Sequence, residues 1–366
     1  MPSYDNALHV TQQVIDRVVN DKQHLVRNET EDFLRQLSAQ WIDERQKLWH
    51  HDYSSVDAYL KSVEPNRTRW LAAVGDPSTL NLPAPEGEIV WEPFMEDEEM
   101  EARWVIVPVA GSLRAHGVLA IPKNRTGKLP LVIAQHGIGS SPETIMGLTG
   151  SDGAYHGYGR ELVRRGFAVL APKNITGAPA RSRLERLCKM LGITLWGIEI
   201  FKISRLLDVV LAMPQIDAAR VGMWGISLGG AYTMFTVPLE ARIKAAVCCA
   251  WFNDRYKKMV VDDPRYSCFL SVQEEYVFIP RWLAEFHDED LASLICPRPL
   301  QVQTGKADGI AWWPFVVETF EKAREHYRRL GVPEAIELDL HEGGHEISVE
   351  AGIAFLTRWL KEANTK

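Results

Sequence analysis

Cysteine is scarce in this 366-residue chain, which also lacks an excess of positive charge and any long apolar run. The cysteines number five, and Cys248 and Cys249 are adjacent, which excludes a disulfide framework and favours a reduced, cytoplasmic compartment. The net charge of -7 and the absence of a basic run argue against a nucleic-acid-binding protein. No apolar run is long enough for a membrane span, so no membrane association is expected. Residues 1–6 lack the basic-then-apolar pattern of a secretory signal, so we expect none.

The overall composition, with 46% apolar and 24% charged residues, is typical of a globular protein. Residues 1–80 carry apolar side chains at helical spacing and predict a helical N-terminal extension. We expect its tryptophans to pack on the main domain. The extension is also predicted either to roof the active site or to form a subunit interface, and we predict a homodimer. These tryptophans are Trp41, Trp49 and Trp70.

Strand and helix signals alternate through residues 86–363, after a proline-rich boundary at 83–85. Repeated β-α units predict a parallel sheet with helices on both faces. The run 118–122 is interpreted as an edge strand and the run 129–134 as a buried central strand.

The segment 221–230 contains the pattern G-x-S-x-G, with Ser227 at its centre. An apolar, strand-like run precedes the serine, and a run of small residues compatible with a helix follows it. This strand–turn–helix context exposes a serine hydroxyl at the carboxyl edge of a sheet. Ser227 is therefore the predicted nucleophile, and an ordinary glycine-rich turn is the alternative.

A serine hydroxyl needs a base, and the base needs an acid to orient it. Asp308 follows the predicted strand 299–304, and His345 follows the predicted strand 335–340. The chain order nucleophile, acid, base is the one associated with this type of sheet. We therefore predict Ser227, Asp308 and His345 as the catalytic residues, with Asp254 as the substitute acid.

The string His341-Glu342-Gly343-Gly344-His345 also matches the zinc-protease pattern H-E-x-x-H. That pattern requires a helix, which brings both histidines onto one face. Two adjacent glycines would cost a helix about 2 kcal/mol relative to alanine. We therefore favour a strand end followed by a turn, and predict no metal and no cofactor.

An ester hydrolase also needs backbone N–H groups that stabilise the oxyanion. Leu228, directly after the nucleophile, supplies one predicted donor. The loop after the central strand, H-G-I-G at 136–139, supplies Ile138 as the second. We expect His136 to brace this loop by hydrogen bonding rather than to take part in catalysis.

Together these motifs resemble the α/β-hydrolase superfamily, and within it the dienelactone-hydrolase and acetyl-xylan-esterase-like branch. The resemblance covers residues 86–363 and implies an α/β-hydrolase fold, with a doubly wound, mostly parallel sheet. It also implies the roles of nucleophile, acid and base for Ser227, Asp308 and His345. Dienelactone hydrolases carry cysteine where Ser227 stands here.

The predicted activity is hydrolysis of a small-molecule carboxylic ester through an acyl-enzyme on Ser227. One alternative is a carbon–carbon bond hydrolase of aromatic or diketone degradation with the same triad, in which Asp254 would help activate a ketone. Another is a binding protein that keeps the fold without catalysis.

Residues 252–290 are rich in aromatic and charged side chains and are interpreted as an irregular lid or pocket wall. Aromatic residues at a pocket can stack on a ring-shaped substrate, although they more often form core. Arg181 and Arg183 are expected on a solvated loop, or alternatively beside an anionic group.

Overall fold

The computed structural model describes residues 12–149 and 153–362. Nine strands form one sheet: β1 (Val90–Glu96), β2 (Met100–Ala110), β3 (Leu113–Pro122), β4 (Leu129–Gln135), β5 (Ala168–Pro172), β6 (Ile216–Ile226), β7 (Ala245–Cys249), β8 (Leu300–Gly305) and β9 (Ile336–His341). Their order is β1-β2-β3-β5-β4-β6-β7-β8-β9.

Twelve α-helices accompany the sheet in the described ranges. They are α1 (Gln12–Glu44), α2 (Val56–Val74), α3 (Pro142–Ile145), α4 (Tyr158–Arg164), α5 (Ala178–Met190), α6 (Leu195–Val210), α7 (Leu228–Thr236), α8 (Arg255–Val260), α9 (Trp282–Glu285), α10 (Asp288–Ile295), α11 (Trp313–Arg329) and α12 (Val349–Thr357). None of the helices in these ranges is both long and apolar enough to cross a membrane.

Six neighbouring strands, in the order β5-β4-β6-β7-β8-β9, run parallel to one another, as the alternating pattern predicts. Strand β4 is buried along its whole length, which its continuous apolar sequence requires of a central parallel strand. The interpretation of 118–122 as an edge strand is wrong. Strand β3 pairs with β2 on one side and β5 on the other, and β1 forms the edge.

Two apolar cores cover the two faces of the sheet, as expected for repeated β-α units. Side chains from α2, α6, α7, α10 and α11 fill the larger core. Side chains from α4 and α12 fill the core on the other face. The two cores fix the strands whose carboxyl ends carry the predicted catalytic residues.

The helical extension is present, but its parts differ in burial. One face of helix α2 is buried, and its Trp70 is fully enclosed with the indole N–H donating to the Phe235 carbonyl (3.2 Å). Trp49 is also buried, whereas Trp41 is half-buried. The packing predicted for the tryptophans is thus confirmed for two of them. The apolar positions Leu8 and Val10 lie outside the described residues.

Two segments differ from expectation. The predicted solvated loop around Arg181 and Arg183 is helix α5, in which Arg183 is exposed and Arg181 is fully buried. The Arg181 guanidinium pairs with the equally buried Glu199 at 2.9 Å. The segment 252–290, predicted to be irregular, contains α8, α9 and the first turn of α10.

Candidate active site

Ser227 lies between the end of β6 and the start of α7 in a strained backbone conformation, with φ 59° and ψ −122°. The residues around it must be small because strand and helix approach closely. A Cβ on Gly225 would lie 2.2 Å from the Gly229 carbonyl oxygen, and one on Gly229 would lie 2.2 Å from the Gln135 oxygen. The glycines of the motif therefore permit the turn that presents the serine hydroxyl.

The structure brings His345 and Asp308 together. His345 Nδ1 lies 2.8 Å from Asp308 Oδ2, and the carboxylate is fully buried while the imidazole keeps 29% of its surface exposed. The second carboxylate oxygen accepts the Ile310 N–H at 2.9 Å. With Nδ1–H donating to Asp308, His345 Nε2 is left as the proton acceptor.

Asp308 stays ionised despite its burial. Burial raises the pKa of the Asp308 carboxyl, but the hydrogen bond and charge of His345, the Ile310 N–H and the Lys258 ammonium together hold this pKa below its ordinary value. A buried carboxylate beside an imidazole stabilises the imidazolium that forms during proton transfer.

The hydroxyl of Ser227 makes no hydrogen bond with His345 in the described residues. Both residues follow strands at the carboxyl edge of the same sheet, where ligands bind in doubly wound folds. In free enzymes such catalytic hydrogen bonds are often long and shorten once substrate binds.

Asp254, the substitute acid of the sequence prediction, has a different environment. It is the N-cap residue of α8, where its carboxylate accepts the Lys257 N–H at 2.9 Å. It also pairs with the Lys257 ammonium at 3.3 Å. The His345 imidazole is paired with Asp308, so the geometry favours Asp308 as the orienting acid.

The predicted oxyanion donors border the same cavity as Ser227. Within the described ranges, neither the Ile138 N–H nor the Leu228 N–H makes a turn, loop or cap hydrogen bond, so both can bind a ligand. The loop before Ile138 is braced on both sides: the Asn174 N–H donates to His136 Nε2 (3.3 Å), and the Gly137 N–H donates to the Tyr155 hydroxyl (2.8 Å). The bracing role expected of His136 is confirmed.

The segment H-E-G-G-H is not helical. Strand β9 ends at His341, whose Nδ1 accepts the Gly343 N–H at 3.2 Å, and a turn follows. No group of three or more potential metal ligands occurs in the described residues. The helix that the zinc-protease pattern requires is absent from this segment.

Two residues, Glu346 and His156, stabilise the loop that carries His345, but no sequence pattern indicates this role. The Glu346 carboxylate accepts the Gly344 N–H (2.9 Å) and lies 2.7 Å from His156 Nε2. The hydrogen bond from His156 lowers the pKa of Glu346 below its ordinary value. Their positions depend on loop geometry, which a sequence pattern does not reveal.

A cavity of about 270 Å³ opens beside Ser227. Much of its wall comes from the segment 252–290, the predicted lid or pocket wall. No described residue of the N-terminal extension borders it. The wall residues from this segment are Phe252, Asn253, Lys258, Ser267, Phe269, Val272, Glu274, Tyr276 and Val277.

Lys258 ties two parts of this wall together. Its ammonium donates to the Ser267 carbonyl (2.7 Å) and hydroxyl (2.6 Å) and to the Ile310 carbonyl (2.6 Å). Burial, with the nearby Arg255 charge, lowers the pKa of Lys258 to about 8. All three donors of the ammonium are in use, so Lys258 shapes the cavity rather than offering a free charge to a ligand.

Parts of this chain are similar in sequence to known proteins. The acetyl xylan esterase family model matches residues 192–277. A protein named as a hydrolase, YtaP of Bacillus subtilis (strain 168), is 24% identical over 275 residues, which are 72% of this chain and 90% of the relative.

Solved structures of esterases are similar over most of their length. A glucuronoyl esterase from Solibacter usitatus has a TM-score of 0.62 at 12% identity, covering 83% of this chain and 94% of that one. Acetyl Xylan Esterase 1 from Thermoanaerobacterium sp. JW/SL YS485 has a TM-score of 0.52 at 18% identity, covering 80% and 92%. Together with the mostly parallel nine-stranded sheet, these likenesses show the α/β-hydrolase fold.

Proposed function

We propose that this chain is a serine hydrolase that cleaves a carboxylic ester through an acyl-enzyme on Ser227. The observation that carries the proposal is the 2.8 Å pair of His345 and the fully buried Asp308, at the sheet edge that also presents Ser227. The match to an acetyl xylan esterase model and the likeness to solved esterases support it.

The proposed reaction uses only side chains and backbone amides of this chain. His345 Nε2 takes the proton of Ser227 as its oxygen attacks the ester carbonyl, and Asp308 stabilises the resulting imidazolium. The N–H groups of Leu228 and Ile138 bind the oxyanion. His345 returns the proton to the departing alcohol, and water then releases the acid by the same steps.

The proposed substrate is a small-molecule ester. The cavity beside Ser227 is mostly apolar, and aromatic residues such as Trp251, Phe269 and Tyr276 line it. Such a wall favours a ring-bearing or aliphatic group on one side of the ester bond. The polar side chains of Asn253 and Glu274 offer hydrogen bonds to a hydroxylated substrate.

The alternatives receive less support. A carbon–carbon bond hydrolase would use Asp254 to activate a ketone, but that carboxylate caps α8 and does not border the cavity beside Ser227. A binding protein without catalysis would not need the buried Asp308 or its pair with His345. The dienelactone-hydrolase branch of the resemblance stays a prediction.

Organisation and location are part of the proposal. Residues 1–80 form the helical extension, residues 86–363 form the catalytic domain, and residues 252–290 form its pocket wall. The proposed location is the cytoplasm, supported by the five cysteines, none of which is in a disulfide. The proposed assembly is a homodimer.

Labelling with a fluorophosphonate followed by intact-mass analysis tests the activated serine. We expect one adduct on the wild type, none on Ser227→Ala, and greatly slowed labelling of His345→Ala. Ser78→Ala removes an exposed serine outside the site and serves as the matched control. Full labelling of Ser227→Ala would refute the proposal. Faster turnover of β-diketones than of short acyl and acetylated-sugar esters would favour the carbon–carbon alternative.

A further inference from the structure

The first half of α1 projects from the body of the protein. Every side chain that the structure describes from residue 15 to residue 30 is exposed. An isolated helix of this length is marginally stable in water, because few interactions offset the entropy of ordering the backbone. The exposed half of α1 therefore needs a partner surface.

One face of this projecting segment is apolar. Its large apolar side chains recur at helical spacing within about a third of the helix circumference. Arg17, His24 and Arg27 lie on the opposite face. The apolar stripe extends three residues past this segment and consists of Ile15 (45% exposed), Val18 (59%), Val19 (53%), Leu25 (45%), Val26 (57%) and Phe33 (62%).

Two opposite charges lie within the stripe, seven residues apart. Lys22 and Glu29 are equidistant from the midpoint between Leu25 and Val26, and neither forms an ion pair within the described chain. An antiparallel copy of α1 centred on this midpoint places each Lys22 beside Glu29 of the second copy. It also brings Val18 level with Phe33 of that copy. A parallel copy in register would oppose like charges and is disfavoured.

The stripe continues into an apolar groove on the body of the protein. Leu34, Leu37 and Trp41 of α1 form one side of a groove of about 390 Å³, and Met259, Leu270 and Leu283 contribute to the other. In the same antiparallel register, Ile15 of the second copy lies level with Gln36, at the end of this groove. A second copy would therefore cover both the stripe and the mouth of the groove.

We infer that α1 forms a two-fold antiparallel helix pair with a second copy of this chain, centred between Leu25 and Val26. The apolar stripe supplies the buried surface, and the paired Lys22 and Glu29 fix the antiparallel register. The groove lies against Leu270 and Phe278, which adjoin the cavity-lining Phe269 and Val277. The pairing is independent of the chemistry at Ser227.

Charge reversal tests the pairing. In sedimentation equilibrium the full-length wild type is expected to be a dimer, and Lys22→Glu or Glu29→Lys should each weaken dimerisation about 10- to 100-fold. The double variant Lys22→Glu/Glu29→Lys should restore it, because the opposite charges face each other again. Both side chains lie on the exposed part of α1, so circular dichroism and ester hydrolysis should confirm that each variant folds. A monomeric wild type, or single reversals without effect, would overturn the inference.

Cysteine cross-linking locates the helix pair. The native cysteines are all buried, so a single Leu25→Cys near the two-fold axis should form a disulfide-linked dimer when copper-phenanthroline is added as the oxidant. His24→Cys is the matched control, since His24 is adjacent and also exposed but lies on the opposite face. A dimer in which both variants cross-link equally, or in which neither does, would place the interface elsewhere.

Discussion

At the scale of single residues, Asp308 has the least exposed functional group of the proposed triad. Replacing it by asparagine keeps its shape but removes the charge that stabilises the imidazolium. We expect Asp308→Asn to lower kcat about 10³- to 10⁴-fold with little change in KM. Steady-state hydrolysis of an aryl ester would measure this.

Asp254→Asn is the matched control for the acid. It keeps an N-cap side chain on α8, so we expect nearly wild-type kcat and at most a small loss of stability. A loss of activity in Asp254→Asn as large as that in Asp308→Asn would reassign the acid.

His136 gives the protein a pH-sensitive contribution to stability. Burial lowers its pKa to about 4, with Lys173 and Arg181 adding to the effect. The unfolded state binds this proton below about pH 6.5, whereas the folded state binds it only near pH 4. The stabilisation of the folded state by neutral His136 is therefore fully present above pH 6.5. It is lost as the pH falls towards 4, which lowers the free energy of unfolding by about 3 kcal/mol in total.

Urea denaturation between pH 7 and 4 measures this contribution by comparison with His136→Asn. As the pH falls, the free energy of unfolding should decrease in the wild type by up to about 1.4 kcal/mol per pH unit more than in the variant. If the variant is poorly folded, an NMR titration of the wild type should show the His136 ring neutral down to about pH 4. A ring that protonates near pH 6.5 would contradict the prediction.

The residues of the proposed site differ in how strongly the sequence indicates them. Ser227 could be predicted because its glycines and flanking elements form a recognisable turn, and Asp308 and His345 because each follows a strand. The structure then favours Asp308 over Asp254, since only contacts in the fold distinguish two acids that both follow strands. Tyr155 could not be predicted, because it accepts the Gly137 N–H of a different loop. Glu346 could not be predicted either, because its role depends on the fold of its own turn and on contact with His156.

At the scale of elements, the turn between β6 and α7 depends on close backbone contact. A Cβ on Gly225 would lie 2.2 Å from the Gly229 oxygen and 2.9 Å from its Cα, and neither backbone atom can move without opening the turn. We expect Gly225→Ala to lower the free energy of unfolding by about 1–3 kcal/mol and to slow fluorophosphonate labelling of Ser227 strongly.

Gly177→Ala is the control for the glycine prediction. Its added Cβ would meet only the Ala180 Cβ, at an ordinary 3.9 Å, so stability and labelling should remain near those of the wild type. Wild-type behaviour of Gly225→Ala would mean that the turn has more room than the structure indicates.

Helix α5 shows why one element could not be predicted from periodicity. The side of α5 that is buried carries Arg181, Ser182 and Glu185 together with Cys188, so its core-facing residues are mostly polar. Because apolar residues do not recur at helical spacing on this side, the sequence indicates a surface loop rather than a helix. What holds the helix is the ion pair of Arg181 with Glu199, together with stacking of the guanidinium 4.5 Å from the Tyr276 ring, and both depend on distant parts of the chain.

At the scale of the whole molecule, the N-terminal extension does not behave as one unit. Helix α2 shares the core that also includes β4 and β6, with Tyr59, Val63 and Trp70 buried in it. The Tyr59 hydroxyl donates to the Ser293 carbonyl at 2.8 Å. Residues 15–30 of α1, by contrast, are exposed. The sequence predicts helices in both segments but does not distinguish the one that belongs to the core.

Hydrogen exchange in low concentrations of urea would test this division. Amides of α2 and of β6 should exchange with free energies within about 1 kcal/mol of each other, because both are released only when the shared core unfolds. Amides of residues 15–30 should exchange much faster in the Lys22→Glu variant, in which the proposed second copy no longer covers them.

Exchange of α2 at a clearly lower free energy than β6 would instead make the whole extension a separate domain that docks on the sheet. In that case Trp70→Ala should leave the unfolding of the catalytic domain unchanged, whereas a shared core predicts a loss of about 3–5 kcal/mol.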